Sequence, residues 1–164
     1  MRRTVRIAAG IAAAVAVTAF AISCGNSNAP KLPTYTATLN AANEPNGAST
    51  ATGTGRATFV DHGTSIDYEL VVNGLTTISA SHIHGPAAAG VNAGVIVNLF
   101  TPNGPPYGQV DGVIATGTIT NANNQSFTVD ALRALFIAGT AYVNVHTSPG
   151  FPAGAIRGQI VRSN

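Results

Sequence analysis

Three of the chain's four histidines fall in two short stretches, Ser81-His82-Ile83-His84-Gly85-Pro86 and Tyr142-Val143-Asn144-Val145-His146-Thr147. Few other side chains in the sequence are reactive, so chemistry starts with these imidazoles. A strand advances about 3.3 Å per residue and turns successive side chains to opposite faces, which puts His82 and His84 on one face about 6.5 Å apart. Two imidazoles so placed can chelate one metal ion. The second stretch has the same parity: Val143 and Val145 read as core, which sends Tyr142, Asn144 and His146 to the other face, and Ile83 does the same for His82 and His84. If the two strands are sheet neighbours, His82, His84 and His146 emerge together. Three imidazoles with an open fourth position suit copper or zinc. The alternative is structural: imidazoles beside a Gly-Pro turn can hydrogen-bond loop carbonyls or one another.

The elements that must position these residues are strands. Alternation begins at 35–39, after which Asn43-Glu44-Pro45-Asn46-Gly47 reads as a turn cluster. Stretches 55–60 and 65–72 form a hairpin pair about the turn Asp61-His62-Gly63-Thr64, and Ile66, Tyr68, Leu70 and Val72 point inward at period two. Further strands are expected over 77–84, 95–100 and 113–120, with Gly/Pro/Asn-rich loops between them, the longest starting at Thr101. One short helix is expected near 130–138: Asp130 caps its first turn, Leu132, Leu135 and Phe136 share a stripe, and Gly139 suits the left-handed position past its end. Stretches 141–146 and 155–161 close the chain as a hairpin. Short strands at regular spacing with Gly-rich turns predict an all-β sandwich or barrel.

Three blocks in order, His82-Ile83-His84-Gly85-Pro86-Ala87, Tyr142-Val143-Asn144-Val145-His146-Thr147 and Ile156-Arg157-Gly158-Gln159, resemble the signature blocks of the CHRD (chordin-type) domain. The resemblance runs from about Tyr35 to Val161. It implies an all-β, immunoglobulin-like or Greek-key sandwich or barrel, of the kind found in animal chordins, which bind bone morphogenetic proteins, and in many secreted bacterial proteins. A shared fold does not carry a partner with it. The family's last block usually reads Gly-Glu-Ile-Arg-Gly-Gln, whereas here Ala155 replaces the acid, so a pair between that acid and Arg157 is lost. Arg157 then either serves as a buried structural donor, the preferred role, or lines the histidine site. A looser resemblance links Gly74-Leu75-Thr76 with His82-Ile83-His84, and Gly154 to Gly158, to the copper-binding strand and arginine region of Cu/Zn superoxide dismutases. It implies a copper ligand role for His82, His84 and His146. The zinc-site residues and the disulfide of that family are missing, so dismutase activity is not expected.

At 164 residues with 45% hydrophobic and 9% charged residues, the chain has material for one domain with a real core. Residues 1–23 read as a lipoprotein-type signal peptide: Arg2, Arg3 and Arg6, an apolar run from Ile7 to Ile22, and Ala21-Ile22-Ser23-Cys24, similar to a lipobox with Ala for its first Leu. An ordinary cleaved leader and an uncleaved signal anchor are the alternatives. Cys24, the only cysteine, is the expected lipidation site, and its solitude excludes an intramolecular disulfide. Residues 24–33 form a flexible Asn/Ser/Pro tether and 34–162 the domain. Of the 8 Lys and Arg, the three leader arginines aside, five face 6 Asp and Glu, a net charge of −1. No basic stripe exists, so nucleic acid is not an expected partner.

Other chemistry finds little purchase. Asp67 and Glu69 share a strand face at about 6.5 Å, as a glycosidase pair would, but their alternation with Ile66, Tyr68 and Leu70 makes them the wet side of a half-buried strand. The chain has no Trp on which a sugar would stack. No nucleophile elbow, P-loop or dinucleotide fingerprint occurs. His62 reads as a solvated turn residue outside the ligand set. The expectation is therefore an exported CHRD-domain protein, lipid-anchored at a cell or outer membrane and facing periplasm or exterior. Its role is non-catalytic binding or structure, with an envelope protein or a metal ion as partner; the alternative is a copper or zinc protein using His82, His84 and His146.

Overall fold

A computed structural model describes residues 30–102, 110–124 and 127–164. The leader, Cys24 and the tether as far as residue 29 lie outside the described residues, as does most of the loop that starts at Thr101. Among the described residues there are nine strands: β1 (Thr34–Asn40), β2 (Thr54–Asp61), β3 (Ile66–Leu75), β4 (Ile78–His84), β5 (Val95–Phe100), β6 (Val110–Ile119), β7 (Tyr142–Thr147), β8 (Ile156–Gln159) and β9 (Val161–Arg162). Among the described residues one α-helix, α1 (Val129–Ala138), lies between β6 and β7.

The strands form one antiparallel sheet in the order β5-β4-β7-β8-β1-β2-β3-β6, with β9 paired to β1. The sheet nearly closes on itself. Its end strands β5 and β6 touch without forming a ladder, and the Tyr68 hydroxyl on β3 donates across to the Leu99 carbonyl of β5 at 3.1 Å. The all-β expectation holds, in its barrel-like form and with the one short helix. Inside lie Tyr35, Ala37, Leu39, Phe59, Ile66, Leu70, Val72, Ile83, Val143, Val145 and Ile156, all at most 1% exposed. Such a core supplies the apolar burial that a domain without disulfides needs.

Helix α1 adds to this core through Leu132 and Phe136, whose ring sits 5.3 Å from Tyr35 and 5.1 Å from Phe59. Its start differs from the expectation. Thr128, not Asp130, is the cap: its hydroxyl accepts the Ala131 N–H at 3.2 Å. Asp130 sits one residue inside the helix and binds Arg133 instead. A cap needs an extended backbone, which Thr128 has and a helical residue lacks. Arg133 in turn grips Asp61 at the end of β2 and the Gly63 carbonyl of the β2–β3 turn. The helix ends at Gly139, left-handed at φ 65°, as its sequence position requires.

The face of β4, β7 and β8 that carries the histidines is opposite the core but it is not open to water. Tyr142 is 1%, Asn144 3% and Arg157 1% exposed, because the 85–94 and 148–154 loops and the two single 3₁₀ turns Ala41–Asn43 and Pro45–Gly47 roof it. Period two predicts which residues leave the core. It does not predict what covers them.

Candidate metal centre

β4 and β7 are antiparallel neighbours, with His82 opposite Asn144, His84 opposite Tyr142 and Ala80 opposite His146. His82 and His146 are therefore diagonal partners, within reach of long side chains across a sheet. All three imidazoles converge as the sequence predicts: one donor nitrogen from each lies within 4.8 Å of the others. His82 Nδ1 and His146 Nε2 stand 3.1 Å apart. Two imidazole nitrogens on one tetrahedral ion at 2.0–2.1 Å would be about 3.4 Å apart, so this pair is already near ligand spacing. No carboxylate or thiolate joins the cluster among the described residues.

The roofing loops set the tautomers. His84 Nδ1–H donates to the Ala93 carbonyl at 3.0 Å, and His146 Nδ1–H donates to the Pro152 carbonyl at 3.0 Å. A carbonyl can only accept, so both rings carry their proton on Nδ1 and turn a bare Nε2 lone pair inward. Outer hydrogen bonds of this kind orient metal-binding histidines. His84 Nε2 is buried and has no hydrogen-bond partner. His82 Nδ1–H can satisfy His146 Nε2, or as the other tautomer present a third lone pair. Burial, then the neighbouring His146 and His84, push the His82 imidazole down to about 4. Burial also lowers His84 and His146 below the ordinary histidine value. The rings are neutral near pH 7, the state a metal requires.

Behind the imidazoles lies a stack that sequence reading missed. The Tyr142 ring lies parallel to His84, 4.9 Å away with a 5° angle, and the Arg157 guanidinium carbon sits 3.3 Å above the Tyr142 ring centre. Tyr142 also accepts the Ala93 N–H at 3.0 Å, so it holds the residue that orients His84. Arg157 donates to Asn92 Oδ1 (3.1 Å) and the Val91 carbonyl (2.7 Å), while Gln159 Nε2 donates to the carbonyls of Ala87 (2.9 Å) and Gly139 (2.8 Å). The preferred role of Arg157 as a buried structural donor holds; what it secures is the 85–94 loop over the site. The matching parity of Tyr142 and His84 was the available signal. Loop carbonyls carry none.

Glu44 was also missed, since Asn43-Glu44-Pro45-Asn46-Gly47 reads as a turn cluster and no more. It is 6% exposed and electrostatically coupled to Arg157, and burial pushes its carboxyl up. Gly154, at φ 147°, lets the chain pass over it: a Cβ there would stand 2.6 Å from both Glu44 Oε1 and Asn144 Nδ2. The remaining candidates lie elsewhere. Asp67 accepts from Thr118 Oγ1 at 2.6 Å and lies 3.0 Å from His62 Nε2, outside the histidine cluster. Glu69 stands half-buried on the same strand, opposite Thr58 and Thr116.

The CHRD domain family model matches residues 35–160, which takes in all three histidines, Tyr142, Arg157 and Glu44. No curated protein matches the chain, and no solved structure does.

Proposed function

The chain belongs to the CHRD domain family, and from that premise we propose a non-catalytic binding domain of the cell envelope whose ligand is a transition-metal ion, copper before zinc, held by His82, His84 and His146. One observation carries the choice of ligand: a buried, partnerless His84 Nε2 facing two further imidazole nitrogens within 4.8 Å. A buried polar atom without a partner costs about 1–3 kcal/mol, and an ion shared by three donors would remove that cost. Copper and zinc both accept imidazole, and three protein ligands leave a fourth position open. The leader pattern and Cys24 support export and a lipid anchor on the membrane, facing periplasm or exterior. A net charge of −1 after the leader speaks against nucleic acid as a partner.

A second reading has its own observation. His84 and His146 each bind a loop carbonyl, so the imidazoles also serve as clamps for the 85–94 and 148–154 loops. In that reading the domain binds an envelope protein and no metal. Titration of the full chain separates the two. With Cys24→Ser in place, so that no thiol competes, copper and zinc are titrated against the same chain carrying His82→Ala, His84→Ala and His146→Ala. One ion bound per chain and lost in the triple variant supports the metal site. Equal, weak binding by both chains leaves the histidines as clamps. Imidazole NMR resonances of the unsubstituted histidines, shifted on titration, check the result without relying on the triple variant's fold.

A further inference from the structure

We infer that the histidine site takes copper as the cuprous ion and that the buried charge of Arg157 selects this monovalent ion against zinc. The inference rests on the metal reading above. All three ligands are neutral, and no acidic side chain enters the cluster among the described residues. A bound ion therefore keeps its full charge, one unit for Cu(I) and two for Zn(II). The neighbour that feels this charge is Arg157, 1% exposed and stacked on Tyr142, which is itself stacked on His84. The two stacking distances place the guanidinium within about 8 Å of the His84 ring, close enough for a strong interaction away from water. A guanidinium does not give up its proton in a protein, so the repulsion persists at every working pH.

Repulsion scales with the charge of the ion, and a dication feels twice what a monocation feels. Glu44 is electrostatically coupled to Arg157, and as a carboxylate it offsets only part of the guanidinium's charge. Coordination number points the same way. Zinc prefers four ligands, whereas a filled-shell cuprous ion is content with three, the number of side chains that converge here. The ion enters already as Cu⁺, so no electron changes hands on binding.

The experiment measures a preference, the ratio of the zinc to the cuprous dissociation constant, in the full chain with Cys24→Ser. Cuprous ion is competed anaerobically, under ascorbate, against a colorimetric cuprous chelator, and zinc against a zinc-sensing chelator. Arg157→Gln removes the charge and should reduce the preference about tenfold, whereas Arg157→Lys keeps the charge and should hold it within about threefold. Glu44→Gln removes the opposing carboxylate and should raise the preference. An unchanged preference in Arg157→Gln, or an equal fall in Arg157→Lys, overturns the inference. If Arg157→Gln fails to fold by circular dichroism, Glu44→Gln decides: a rise supports charge selection and no change overturns it. Zinc held as tightly as cuprous ion overturns the selection alone. Failure of both ions to bind overturns the metal reading and this inference with it.

Discussion

Strands β4, β7 and β8 show two covered faces that are differently built, one fully buried and the other with His82 and His146 only partly so. On one, Ile83, Val143, Val145 and Ile156 meet the barrel core, and apolar area removed from water is what holds them. On the other, His82, His84, Tyr142, Asn144 and Arg157 meet loops, and almost every polar atom must find a partner there. The first face is held by apolar packing, with Ser81, 0% exposed opposite Val145, as its polar exception. The second works only where donors and acceptors match, and His84 Nε2 is left over there, the atom on which the proposed metal site rests. A single sheet thus carries a structural interior and a chemical one, separated by the thickness of a strand.

The widest gap between the faces should appear with Ile83→Ala. Truncation of this fully buried side chain leaves a cavity and costs about 2–5 kcal/mol. Urea denaturation should show that loss, while the folded fraction keeps its affinity for copper. A matching loss of affinity would mean the two faces are one cooperative unit. His84→Phe, one residue along, should do the reverse. It gives up the bond to Ala93 but keeps the stack on Tyr142, so the cost is about 1–3 kcal/mol, with metal binding abolished. Retained binding in this variant would remove His84 from the site.

Acid distinguishes the faces next, because only one of them titrates. The folded His82 value of about 4 lies below its ordinary 6.5, so the unfolded chain takes the proton first. The stability this group contributes is complete above pH 6.5, declines as pH falls, and is gone below about 4. His84 and His146 are shifted in the same direction. Thermal melting of the metal-free chain should fall across that window, and a chain with all three histidines replaced should fall less. An identical decline in both would assign the acid sensitivity to other groups. The smallest effect belongs to a site on neither face. Thr128→Ala removes the cap of α1 and should cost about 1 kcal/mol, with the metal affinity unchanged.

Much of this design could be read from residue order. The parity of His82 and His84 about Ile83, and of His146 about Val145, placed three imidazoles on one side, and the hairpin that ends the chain was visible in its turn residues. The cap at Thr128 was misread as Asp130 because both residue types favour caps, and what separates them is the backbone, extended at Thr128 and helical at Asp130. Glu44 was read only as part of a turn because nothing within that turn reports that β7 and β8 lie beneath it.

By itself the sequence determined what is local: the strand periods, the capping glycine, the apolar face of each strand and therefore the side on which each histidine emerges. Tertiary structure alone decided that β4 and β7 are neighbours in a register that brings His82 Nδ1 to 3.1 Å from His146 Nε2. It also decided that loop carbonyls hold the rings, and that a guanidinium stands behind them. The reason is physical. Alternation is a property of one strand's backbone, whereas register, roofing and charge proximity arise between segments some sixty residues apart, where only the closed sheet brings them into contact.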